Sequence, residues 1–192
     1  MHNITAIILA AGKGKRMGTP KWQLPFNDST FLSTIIDNLF AAHIECIICI
    51  LSRSFKGNDP RIQYAINPKP EKGMITSIYT GIHSTTPHKG YLIIPVDHPY
   101  IKKETYTKLV EVFEKNTDSV IRPTYHGKIG HPLIIPEKIA PLIPNADFPG
   151  GLQYFLIRTK AECIDVEVDD PGILKNINTP EDLLMNLNST QD

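Results

Sequence analysis

The sequence predicts an α/β fold: an open, mostly parallel sheet with helices on both faces. Short apolar runs rich in isoleucine alternate with amphipathic segments of helical length. The first runs are continuous in apolar character, as strands buried on both faces are. A glycine-rich cationic loop and an aspartate also fall where two of these runs end, and ligands bind beyond such C-terminal strand ends.

In chain order, Thr5 to Ala11 reads as a buried central strand, and it feeds straight into the loop Gly12 to Lys21, GKGKRMGTPK. Ser29 or Thr30 caps a helix running to Ala42, with Phe31, Ile35, Ile36, Leu39 and Phe40 on one face. Ile44 to Leu51, IECIICIL, is a second buried strand, and Gln63 to Ile66 is a short third one. A turn rich in proline and lysine then leads to a helix from Met74 to His83. Tyr91 to Val96, YLIIPV, is another apolar strand, and it ends on Asp97. Lys102 to Lys115 has helical spacing through Tyr106, Leu109, Val110 and Phe113, and Asp118 to Pro123 resumes extended structure. The final third is less regular. Pro132 to Pro136 reads as a strand bounded by prolines, and Ala140 to Ile143 and Gly151 to Ile157 as short helices. Cys163 to Val168 alternates like a half-exposed strand. Thr179-Pro180-Glu181-Asp182 opens a last helix with a cap, a first-turn proline and acids.

The 192 residues suffice for one sizeable core, and no linker divides them, so a single domain over residues 1–192 is expected. Twenty basic and twenty acidic residues cancel. With no global field, neither nucleic acid nor a membrane surface is an expected partner, and any anion site must be local. There is no cationic leader before a cleavable apolar core, and no apolar run approaches the roughly 20 residues of a membrane helix. A cytoplasmic location is therefore expected. Cys46, Cys49 and Cys163 are odd in number, lie in apolar segments and read as reduced core residues. Cys46-x-x-Cys49 has the spacing of a redox or zinc pair, but on an extended strand positions three apart face opposite ways.

The loop is neither of two common phosphate-binding turns. A Walker loop needs four residues between its first glycine and Gly-Lys-Ser/Thr, which neither Gly12 nor Gly14 supplies. A dinucleotide turn needs a third glycine where Met17 stands, and no acid follows the second strand, where Leu51 is succeeded by Ser52 and Arg53. The loop's glycines allow close backbone approach, while Arg16 and Lys21 add full charges, a combination suited to a triphosphate. Arginine clamps phosphate oxygens in a planar fork, whereas lysine is a movable point charge. Asp97, fixed at the same sheet edge, is the carboxylate to hold a Mg²⁺ ion bridging phosphate oxygens.

Leu9-Ala10-Ala11-Gly12-x-Gly14-x-Arg16-Met17-Gly18-x-Pro20-Lys21, continued by Leu24-Pro25-Phe26, resembles the signature of the MobA-like NTP transferases of the molybdenum-cofactor cytidylyltransferase type. Further matches follow in order across nearly the whole chain: Asn67 with Gly73 and Ser77, Pro95-x-Asp97-x-Pro99, Gly127-x-x-Gly130-His131-Pro132, and Thr179-Pro180-Glu181-Asp182. The resemblance implies a single Rossmann-like α/β domain of the nucleotide-diphospho-sugar transferase type. It also implies an enzyme that joins a nucleoside triphosphate to a phosphorylated small-molecule acceptor and releases pyrophosphate. On the nucleotide side it implies Ala10, Ala11 and Gly12 near the base and ribose, Leu9 and Gly14 also as nucleotide-binding, Asn67, Gly73 and Ser77 at the border, and Arg16 and Lys21 on the triphosphate. It implies Asp97 on Mg²⁺ with Asn176, or else Asn178, as a second ligand, and Gly130 and His131 facing the acceptor. Leu-Ala-Ala-Gly resembles the cytidylyl-transferring members, which puts CTP first and ATP second, and docking to a molybdoenzyme or its chaperone is part of the same expectation.

Two departures stand out. Where the cytidylyltransferases read Asp-Ile-Asp-Thr-Pro-Glu-Asp, this chain has Asn176-Ile177-Asn178-Thr179-Pro180-Glu181-Asp182, replacing two carboxylates with neutral amides and lowering the expected metal affinity. Where the family often carries Gly-Asp-x-Gly-Ala-Arg, this chain has Gly150-Gly151-Leu152-Gln153-Tyr154-Phe155, so a pterin acceptor is less supported than the nucleotide. The alternatives are a sugar- or alcohol-phosphate nucleotidyltransferase, a catalytically impaired nucleotide-binding regulatory protein, and an α/β binding domain with no nucleotide.

Overall fold

The computed structural model describes residues 2–12, 18–52, 59–179 and residue 182. The chain begins with β1 (Ile4–Leu9), the short hairpin β2 (Pro25–Phe26) and β3 (Ser29–Thr30), α1 (Phe31–Ala41), β4 (Ile47–Leu51), β5 (Gln63–Ile66) and α2 (Met74–His83). It continues with β6 (Gly90–Pro95), α3 (Lys103–Lys115), β7 (Val120–Tyr125), β8 (Lys128–Ile129), β9 (Leu133–Pro136), α4 (Gly151–Arg158) and β10 (Cys163–Glu167). The expected strands and helices recur with ends shifted by at most three residues, β4 opening at Ile47 rather than Ile44; Ala140–Leu142 is a 3-10 turn, and the expected last helix lies largely outside the described residues. The β2–β3 hairpin and β8 are additions, each too short to leave a periodic pattern.

The main sheet runs β10-β7-β9-β6-β1-β4-β5, with β8 paired to β7. All its neighbours in this path are parallel except β9, which lies antiparallel between β6 and β7. Sequence character follows position. The central strands β1, β4 and β6 are buried at every residue, while the edge strands β5 and β10 carry exposed residues.

Alternation along β1 divides the core between two faces. Ile4, Ala6 and Ile8 pack with Phe31, Ile35, Ile36 and Leu39 of α1 and Tyr106, Leu109, Val110 and Phe113 of α3. Ile7 and Leu9 pack with Ile75, Ile78 and Ile82 of α2 and Leu152, Phe155 and Leu156 of α4. Helices therefore cover both faces, and each fully buried Ile or Leu contributes about 1.5–3 kcal/mol. Helix α1 starts where expected, because the Thr30 hydroxyl accepts from the Ser33 amide at 3.2 Å. Cys49 is buried, Cys46 and Cys163 are half-buried, and all three are free thiols. Among the described residues, no helix is long and apolar enough to cross a membrane.

Candidate active site

From β1 the chain moves to β4 and β5 on one side, then returns through α2 to β6 on the other. The crevice beyond the ends of β1 and β6, where Leu9 lies opposite Pro95, is thus the point at which strand order reverses. A cavity of about 250 Å³ opens there. It is lined by Leu9, Ala10, Ala11 and Gly12 after β1, Pro95, Val96 and Asp97 after β6, Pro70, Gly73, Met74 and Ser77 around the start of α2, and Lys21.

Asn67 fixes the α2 side. It is 1% exposed, and its Nδ2 donates to Thr76 Oγ1 and Ser77 Oγ at 2.9 Å each, while its Oδ1 accepts from the Lys69 amide at 2.8 Å. The end of β5 is thereby tied to the first turn of α2. Gly73 occupies the N-cap position at φ 90°, which favours glycine, and no side chain caps the helix. The positive end of the α2 dipole is left facing the cavity, a favourable place for an anion.

The opposite side carries the charge. Lys21 opens a short 3-10 turn, Lys21–Gln23, anchored by buried Trp22. Its Nζ donates to Asp97 Oδ2 at 2.8 Å and to Asn178 Oδ1 at 2.7 Å, bringing together residues from three distant parts of the chain. The Lys21 and Asp97 side chains are only 20% and 21% exposed. The Ile177 amide donates to the Asp97 carbonyl at 2.9 Å, which holds Asn178 next to Asp97. Asp182 Oδ2 accepts from the Asn178 and Thr179 amides, and Thr179 Oγ1 accepts from the Asp182 amide. This is the expected reciprocal cap, and those backbone donors hold the Asp182 carboxyl below the usual carboxylate range.

Of the two amides near the expected metal site, Asn178 reaches the Lys21–Asp97 cluster, while Asn176 is exposed and buried Ile177 lies between them. Of the remaining expected site residues, Leu9, Ala10, Ala11, Gly12, Lys21, Gly73, Ser77 and Asp97 share the first cavity, with Asn67 directly behind it. Gly14 and Arg16 lie outside the described residues, as do Pro180 and Glu181.

Beside Asp97 sits a pair of histidines. The His98 and His131 rings are 4.9 Å apart in a T-shaped arrangement, and His98 Nε2 is 3.9 Å from Asp97 Oδ1. Burial lowers the pKa of both, against the opposing pull of Asp97, and His131 is brought down to about 4 with the help of its histidine neighbour. Both imidazoles are therefore neutral at pH 7. Gly130 and His131 rest on the segment leading to Asn178: the His131 amide donates to the Ile173 carbonyl at 2.9 Å, and a Cβ on Gly130 would stand 2.4 Å from that same oxygen. Asp170 anchors the segment from behind, accepting from Lys102 N, Thr105 Oγ1 and Gly172 N.

Gly130 and His131 also line a second cavity of about 550 Å³ under α4, which shares Met74 with the first. Its walls are mainly apolar, with Ile129, Leu133, Leu152, Leu156 and Ile157, and its polar groups include Arg122, Gln153 and Lys160. Arg122 is paired with Asp165 at 2.7 Å. Sequence reasoning missed His98, Asp170, Pro70 and Met74. A buried aspartate before Pro-Gly was a legible hint of Asp170, whereas the others carry no local signal.

A family model described as "MobA-like NTP transferase domain" matches residues 6–163. The chain is 26% identical over 193 residues to the molybdenum cofactor cytidylyltransferase of Escherichia coli (strain K12), covering 96% of this chain and 95% of the relative. It is 25% identical over 192 residues to a probable molybdenum cofactor guanylyltransferase of Natranaerobius thermophilus, covering 94% and 93%. Among solved structures, the manganese complex of Rv0371C from Mycobacterium tuberculosis H37Rv superimposes with a TM-score of 0.74 at 18% identity, over 98% of this chain and 100% of that one.

Proposed function

The chain belongs to the MobA-like NTP transferase family, and from that premise we propose that it transfers a nucleoside monophosphate, CMP by preference, from its triphosphate to a phosphorylated small-molecule acceptor such as molybdopterin cofactor, with Mg²⁺ and release of pyrophosphate. The observation that carries this reading is the convergence of Lys21, Asp97 and Asn178 beside the cavity lined by Leu9 to Gly12. A base and ribose fit against Ala10 and Ala11, and the triphosphate extends toward Lys21 and the open dipole of α2. Leu9-Ala10-Ala11-Gly12 and the likeness to the Escherichia coli cytidylyltransferase support CMP as the transferred group.

The donor set fits a divalent ion. Two oxygens, Asp97 Oδ2 and Asn178 Oδ1, already converge on one cation, the Lys21 ammonium. Mg²⁺ characteristically takes one or two protein ligands and completes its shell with phosphate oxygens and water. Held by Asp97 and Asn178, such an ion would supply positive charge to phosphate oxygens. The acceptor phosphate is already ionised at neutral pH, so its in-line attack on the α-phosphorus needs no general base. Catalysis is then positioning plus charge stabilisation, in which Lys21 follows the leaving group and neutral His131 donates a hydrogen bond to the acceptor. The second cavity, reached past His131, holds the acceptor body.

Equilibrium titration of the protein with CTP, ATP and GTP, each with and without Mg²⁺, tests the nucleotide half. Tightest binding of Mg-CTP, weakened by Lys21→Ala, is expected; binding of none of the three would remove the reading. The amide at Asn178 favours one alternative, a nucleotide-binding protein of low catalytic power, for which binding persists without pyrophosphate release.

A further inference from the structure

We infer that Lys21 makes the Asp97–Asn178 seat selective for a metal–nucleotide complex over a free divalent ion. This rests on the metal reading above. The Lys21 Nζ lies 2.8 Å from Asp97 Oδ2 and 2.7 Å from Asn178 Oδ1, between the two oxygens that a divalent ion would bridge. The ammonium and the ion therefore compete for one place.

Charge balance decides the competition. Asp97 brings one negative charge to the seat and Asn178 brings an oxygen with none. The Asp182 carboxylate stands behind Asn178, its Oδ2 accepting from the Asn178 and Thr179 amides at 2.9 Å each. One ammonium suits this environment. A divalent ion added beside it would crowd two cations against the one carboxylate that the seat itself supplies, Asp97, so the ammonium must leave first. Leaving for water forfeits two charge-assisted hydrogen bonds inside a largely buried cluster. A polyphosphate removes the conflict, because it carries its own negative charge in with the ion and offers the displaced ammonium new oxygens. Lysine's flexible stem and three donors allow that transfer without backbone movement. Lys21 thus reaches the phosphates only when a metal–nucleotide complex claims its seat, and free metal is held off until then. Neutral Asn178 is essential to the balance, since a carboxylate there would leave negative charge for a free ion.

The test is Mn²⁺ binding to the full chain without nucleotide, read by electron paramagnetic resonance of the free ion and by calorimetry. Wild type is compared with Lys21→Met, Asp97→Asn and the double variant, each first shown to melt cooperatively, with Lys21→Gln in reserve should Lys21→Met not fold. Lys21→Met is expected to bind Mn²⁺ about tenfold or more tightly than wild type, a gain abolished in the double variant. If Lys21→Met binds no more tightly while Asp97→Asn still weakens binding, the inference is overturned and the metal reading stands. Mn²⁺ binding that is absent throughout, or indifferent to Asp97, also overturns the inference, and the metal reading then falls only if nucleotide binding is the same with and without Mg²⁺.

Discussion

Asn67 Nδ2 donates to Ser77 Oγ across 2.9 Å, joining the end of β5 to a hydroxyl that lines the cavity beyond β1 and β6. The same amide group also serves Thr76, and its carbonyl serves the Lys69 amide, so Asn67 is structural as well as adjacent to the site. Asn67→Ala should cost about 1–3 kcal/mol by stranding buried polar groups, and should raise the KM for nucleotide as the first turn of α2 shifts. Ser77→Ala leaves Asn67 its other partners. Its expected effect is a higher KM with a stability loss of about 1 kcal/mol or less, which denaturant titration and initial-rate kinetics resolve.

Lys21→Ala should lower kcat about 10²–10³-fold, the usual loss when one preorganised charge is removed from a developing anion. Its ion pair with Asp97 is partly solvated, so the change in unfolding free energy should be about 1 kcal/mol. Wild-type turnover in this variant would refute a phosphate role for Lys21.

His131 gives the protein an acid-sensitive element. Its pKa is about 4 in the folded chain, because of burial and the neighbouring His98, against the ordinary 6.5. Between those values the unfolded chain binds the additional proton, so stability is fully present above about pH 6.5 and declines as pH falls toward 4. The slope for this one group approaches about 1.4 kcal/mol per pH unit within the window, and His98 acts in the same direction. Denaturant unfolding measured from pH 7.5 to 4.5 should show the decline, and His131→Gln should flatten it.

Gly130→Ala places a methyl group 2.4 Å from the Ile173 carbonyl oxygen, where only backbone displacement relieves the contact. A loss of about 1–3 kcal/mol is expected. Because His131 hangs on the same carbonyl through its amide, KM for the acceptor should rise while nucleotide affinity holds.

Much of the first cavity was legible in the sequence. Most of its residues follow the apolar runs of β1 and β6, which mark the sheet edge, and Met74 to His83 was bounded correctly because Gly73 stops the preceding turn and the apolar spacing is regular. The antiparallel insertion of β9 was not legible, since strand order leaves no trace in periodicity. Nor was the contact of Asn178 with Lys21, which joins residues 157 positions apart in the chain. The facing of His98 and His131 is likewise a product of the segment from Asp170 to Ile177 packing beneath them.

Nucleotidyl transfer is read out by following the label of CTP. With Mg²⁺ and a panel of phosphorylated acceptors that includes molybdopterin cofactor, label at the α-phosphorus should appear in the acceptor while label at the β- and γ-positions leaves together as pyrophosphate. Release of γ-label as orthophosphate, or retention of α-label in CTP with every acceptor, would contradict it.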